Sequence, residues 1–150
     1  MKKKELAEFK KFLKLFPKID LPITLSAEDS GTFSKKNDPI RIEFIEKYID
    51  PEINNEENEL LEYIPCFRIK PALDNIYALI YFRADLMNYE YILNIYDKEG
   101  KSIDQKIIGG LRSNGPLVTR AVTTISDDLN IYIVEGMTDA EDRLYNPKSS

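Results

Sequence analysis

Apolar and polar positions alternate through residues 75–135 with the period of two that belongs to extended strands. Residues 75–83 read N-I-Y-A-L-I-Y-F-R, with Ile76, Ala78, Ile80 and Phe82 on one face and Tyr77, Leu79, Tyr81 and Arg83 on the other. Both faces are largely apolar, so this strand belongs in the middle of a sheet covered on both sides. Residues 89–96 repeat the pattern with Tyr, Ile and Leu. Asp97-Lys98-Glu99-Gly100-Lys101 then supplies a hairpin turn in which Gly100 takes positive φ at little cost. Residues 102–108 run back, and Gly109-Gly110 ends that strand. Residues 112–116 form a loop before the β-branched run 117–125, and Ser126-Asp127-Asp128 turns the chain into residues 129–135. Connections this short cannot hold crossover helices, so these strands form an antiparallel meander.

The front half changes period. Residues 5–16 place Leu6, Phe9, Leu13 and Phe16 at helical spacing, joined by Phe12, with Lys10, Lys11 and Lys14 largely away from that stripe, and Pro17 stops the helix. Ile19, Leu21, Ile23 and Leu25 alternate again, but Pro17 and Pro22 each remove a ladder donor, so the segment reads as an edge strand or a linker along the core. Residues 26–37 are polar and read as loop. Asp38-Pro39 has the chemistry of a helix start, with Ile40, Phe44, Ile45, Tyr48 and Ile49 as its buried stripe. Residues 52–62 hold five Glu and three Asn, and residues 60–69 return to strand character, with Pro65 marking an edge or a bulge. Thr138-Asp139-Ala140-Glu141 has capping-box spacing for a short last helix.

A length of 150 residues fits one domain. It divides into an amphipathic helix (1–18), an extended segment, helix and acidic loop (19–62), the meander (63–136), and a short helix with a frayed tail (137–150). The fold class is α+β: an antiparallel sheet of about six strands with two helices packed on it, its curvature or partial barrel closure left open. No apolar run approaches the roughly 20 residues that span a bilayer. Lys10, Lys11 and Lys14 also interrupt the apolar core that an export signal needs. A cytoplasmic location is therefore expected, with export or lipid anchoring as the alternative if a signal has been removed.

Charge and chemistry narrow the function mainly by exclusion. A net charge of −5 argues against general nucleic-acid binding. The charge is uneven: residues 1–19 carry seven Lys against two Glu, and residues 20–65 four basic against twelve acidic groups. The complete lack of His removes Ser-His-Asp and Cys-His catalysis and the HExxH zinc site. One Cys leaves no internal disulfide and no zinc framework, and Cys66 in Tyr-Ile-Pro-Cys-Phe-Arg reads as a small buried hydrophobe. No cofactor and no metal is expected. Asp97, Glu99 and Asp104 lack the spacing of a calcium loop. Gly109 to Gly115 with Arg112 offers amides and a guanidinium to an anion, without a phosphate-loop consensus.

Nine tyrosines are the other conspicuous feature. Tyr77, Tyr81, Tyr91, Tyr96 and Tyr132 on the meander, with Arg112, are the candidate ligand or partner contacts, against the plainer reading of half-buried strand residues. Glu52, Glu56, Glu57 and Glu59 are the candidate dock for a basic partner, against that of a hydrated loop. The basic helix of residues 5–16 can lie on an anionic membrane, although its apolar stripe is better suited to covering the sheet.

The runs Phe16-Pro17-Lys18-Ile19-Asp20-Leu21-Pro22-Ile23-Thr24 and Tyr96-Asp97-Lys98-Glu99-Gly100-Lys101-Ser102-Ile103-Asp104, with the helix after Asp38 between them, resemble uncharacterised small β-rich bacterial proteins. The resemblance implies an order of elements and an exported or lipid-anchored relative, and no activity. The expected function is a non-enzymatic protein-interaction module. A carrier with a pocket lined by Tyr and Ile is one alternative, and a His-free hydrolase with two carboxylates another.

Overall fold

The computed structural model describes residues 3–53, 61–70, 75–85 and 88–139. Three helices, α1 (Lys3–Leu13), α2 (Asp29–Lys36) and α3 (Ile42–Tyr48), accompany eight strands: β1 (Lys18–Asp20), β2 (Ile23–Leu25), β3 (Glu62–Lys70), β4 (Ile76–Ala84), β5 (Tyr89–Asp97), β6 (Ser102–Asn114), β7 (Leu117–Ile125) and β8 (Ile131–Asp139). The fold is α+β, and β3 to β8 form the antiparallel meander that the alternation predicts.

The strand order is β1-β3-β4-β5-β6-β7-β2, with β8 also on β7. The two ends of that order, β1 and β2, are separated in the chain only by Leu21 and the cis-linked Pro22. The sheet must therefore curl until its ends nearly meet, which gives it an almost barrel-like shape. The same segment supplies the exception to antiparallel pairing, because β1 runs parallel to β3.

Curling creates an inside and an outside, and the alternation along β4 serves both. Leu79 and Tyr81 join Phe9, Phe12, Leu13 and Phe16 of the N-terminal stretch and Ile45 and Tyr48 of α3 in one cluster. Ile80 and Phe82 join Leu25, Ile64, Phe67, Tyr91, Ile108 and Ile125 in the other. The covered central strand is thus observed. Aromatic rings dominate the helix side: Phe12 stacks on Tyr48 at 4.7 Å between centroids, and Phe9 meets Tyr96 at 5.8 Å. Phe9, Phe12 and Leu13 of α1 and the following Phe16 are buried in this cluster, and Leu6 is half-buried. No described helix is long and apolar enough to cross a membrane.

Several elements differ from expectation for identifiable reasons. Residues 26–37 contain α2 in place of a loop. The Asp29 carboxylate accepts from the backbone N–H of Ser26 at 2.8 Å and from its hydroxyl at 3.2 Å, the Asp29 N–H donates to the Ser26 carbonyl at 3.2 Å, and the turn so closed leads into the helix. The helix expected from Asp38 begins only at Ile42, because the Ile40 amide donates to the Tyr63 carbonyl at 2.7 Å and holds the preceding residues extended. Gly109-Gly110 does not end a strand: β6 passes through it to Asn114, leaving only Gly115 and Pro116 for the turn. Thr138 and Asp139 belong to β8, so no helix starts there, and the rest of the expected last helix lies outside the described residues. The β3/β4 register shifts between Pro65 and Phe67, the bulge that Pro65 implies.

Candidate interaction surface

The meander ends in the β7–β8 ribbon, whose β7 is also paired with β6 and β2. Its turn is tied by its own side chains: Asn130 N–H donates to Ser126 Oγ at 3.1 Å, Leu129 N–H to the Ser126 carbonyl at 2.9 Å, and the Asp128 carboxylate accepts from the Ser126 hydroxyl and from Asn130 Nδ2. These hydrogen bonds, the Ser126 hydroxyl first, hold the Asp128 carboxyl below its usual pKa. From this turn β8 pairs with β7 without slippage from Ile125↔Ile131 to Leu117↔Asp139.

On the outer side of β8 no strand pairs with it among the described residues. All seven residues from Ile131 to Met137 are exposed, on both faces of the strand. Val134 is 70% exposed, Met137 65% and Tyr132 58%, with Ile131 and Ile133 also open. Leu117 and Val122 of β7 and Leu129 of the turn extend the patch. An apolar strand with a free ladder is a template for another chain, so proteins usually guard such edges with charge, Pro or irregularity. Here two other edges are guarded. β1 carries exposed Lys18 and Asp20 between Pro17 and Pro22, and the part of β6 beyond its pairing with β7 carries exposed Asp104 and Lys106. Between Ile131 and Met137 the sole charge is Glu135.

A shallow concavity of about 210 Å³ lies beside the ribbon, where Ile107, Gly110 and Arg112 of β6 face Ile133 and Glu135 of β8. Arg112 also borders a polar basin of about 270 Å³ with Arg83, Asp85, Asn88 and Glu90. In that basin Arg83 is ion-paired to Glu90. Both hollows fall below the roughly 300–1,000 Å³ of ordinary ligand pockets.

The expected site residues do not come together. Tyr81, Tyr91 and Tyr96 are fully buried in the two different clusters. Their hydroxyls are satisfied internally: Tyr81 accepts from Asn94 Nδ2 at 3.1 Å, Tyr91 donates to the Ser26 carbonyl at 2.9 Å, and Tyr96 donates to the Tyr48 carbonyl at 2.7 Å. Burial pushes the Tyr81 phenol up to about 12 and those of Tyr91 and Tyr96 higher still. Tyr77 is half-buried against Phe9, with centroids 5.8 Å apart. Of the candidate set, Tyr132 and Arg112 are the two exposed side chains. Glu52 is exposed, whereas Glu56, Glu57 and Glu59 lie outside the described residues.

Other candidate groups have structural partners. Asp97 Oδ1 accepts the amides of Glu99 at 2.9 Å and Lys101 at 3.0 Å, as a hairpin turn requires. Cys66 is buried, and desolvation raises its thiol well above the ordinary value, the opposite of what a reactive thiol needs. The Gly109–Gly115 stretch lies largely in a paired strand and forms no anion-binding loop.

Sequence reasoning missed the exposure of β8, since Ile-Tyr-Ile-Val reads like any core strand. The usable signal was the lack of Lys or Pro in it. No family model matches this chain, and no curated protein or solved structure matches it either. Fold and surface therefore carry the functional reading alone.

Proposed function

We propose that this chain is a non-enzymatic protein-interaction module whose contact element is β8, and that it binds by accepting a further strand along that edge. The observation that carries this reading is the contrast between the guarded β1 and β6 edges and the run Ile131 to Met137 of β8, apolar but for Glu135 and Gly136 and exposed on both faces. Main-chain hydrogen bonds would supply affinity, and the side chains of Tyr132 and Val134 on one face and of Ile131, Ile133 and Met137 on the other would supply selectivity. The carrier reading has less support, because Ile64, Phe67, Ile80, Phe82, Tyr91 and Ile108 pack together inside the curved sheet where a ligand chamber would be.

The test is cross-linked affinity capture from the native host, with the wild-type chain compared with Val134→Lys. The substitution adds a charge at a side chain already 70% exposed, so the fold is retained. At least one captured protein, another copy of this chain included, should disappear with the variant. Identical capture by both proteins would reject β8 as the contact.

A further inference from the structure

We propose that the strand added to β8 is β8 of a second copy of this chain, antiparallel to the first about a two-fold axis at Val134. This rests on reading β8 as the contact edge and names its occupant. Two identical antiparallel strands related by a two-fold axis must place one residue opposite itself. A centre at Val134 pairs Ile131 to Met137 of one strand with the same residues of the other and keeps the two Glu135 carboxylates from standing opposite each other, as a centre at Glu135 would not. Ile131 then opposes Met137, and Ile133 opposes Glu135. Tyr132 opposes Gly136, where a Cβ would meet nothing within 4 Å, and the ring covers the position that has no side chain.

Charge fits self-pairing. Glu135, the single charge of the run, faces Ile133 rather than its own copy, so the two chains pair despite a net charge of −5 each. The side chains agree. Five apolar side chains of β8, Ile131 to Val134 and Met137, are exposed by 36% to 70% and would lie directly beside the added strand. The contact is smaller than a standard interface of roughly 800 Å² per partner, so affinity in the micromolar range is expected. Pairing would extend each ribbon into a sheet that continues across both molecules.

Light scattering on the purified full chain across about 1–100 μM tests this. The wild type should be a dimer, and Val134→Lys, which sets two ammonium groups opposite each other, should weaken association more than about tenfold with unchanged circular dichroism. Under mild oxidation Val134→Cys should form a covalent dimer. The wild type should not, because Cys66 is 2% exposed. A wild type that stays monomeric at the highest concentration, a dimer that persists in Val134→Lys, or a Val134→Cys dimer that never cross-links would each overturn the proposal. A monomer whose captured partner is still lost with Val134→Lys would remove self-pairing and keep the interaction module.

Discussion

Where β6 bends toward β7, two adjacent positions have no room for a side chain. A Cβ at Gly109 would fall 2.6 Å from Thr123 Oγ, and that hydroxyl is already committed as donor to the Ile108 carbonyl. At Gly110 the conflict is with backbone: φ is +131°, and a Cβ would lie 2.1 Å from the Tyr89 carbonyl oxygen. A flexible side chain moves aside at modest cost, but a strand paired on both sides does not. Gly110→Ala is therefore expected to cost at least about 3 kcal/mol. Gly115→Ala is the control: φ is +63°, but nothing lies within 4 Å, so it should cost only about 1 to 2 kcal/mol. Urea denaturation of both variants checks the order, and a Gly110→Ala protein as stable as Gly115→Ala would contradict the close strand approach. From the sequence, Gly109-Gly110 is equally consistent with the end of a strand. Only the neighbouring strand reveals the need for absent side chains.

Among the elements, α1 was the most legible and β8 the least, and the difference is physical. A helix that alternates charged and apolar faces states which side it buries, and Phe9, Phe12 and Leu13 are buried as that periodicity requires. Phe12 is fully buried against Tyr48, Phe16 and Tyr96. Phe12→Ala should thus cost about 3–5 kcal/mol, read as a lower denaturation midpoint. The surface ion pair between Lys47 and Glu8, 2.8 Å apart and well exposed, should contribute little, because solvent screens it. A Phe12→Ala loss no larger than that of Glu8→Ala would mean that α1 is not docked by its rings. The start of α2 was legible in part, since Ser26 and Asp29 have capping spacing, but Gly31 and a polar run concealed the helix. For β8 the residues state only that the strand is apolar. What covers an apolar strand depends on the rest of the fold, and a single chain offers nothing there among its described residues.

On the scale of the whole molecule, one curved sheet is shared by two clusters, and ionisable phenols sit in both. Tyr81 and Tyr96 lie under the helices, and Tyr91 lies within the curl. For each, burial disfavours the phenolate, so the folded-state pKa exceeds the unfolded value of about 10. Below about pH 10 both states keep their protons and this contribution to stability is fully present. Between about 10 and the raised folded values, beginning with Tyr81 at about 12, the unfolded chain releases protons that the folded chain retains, so stability falls as pH rises. Linkage sets the slope at about 1.4 kcal/mol per pH unit for each phenol, hence on the order of 4 for the three together. Thermal melts between pH 9 and about 12 should show a steep fall in Tm. Phenolate absorbance of the buried set should appear only as circular dichroism is lost. Because the two clusters share β3 to β5, they should fail in one transition. Phenolate appearing in two steps, one with secondary structure intact, would show that the helix layer separates from a sheet that stands without it.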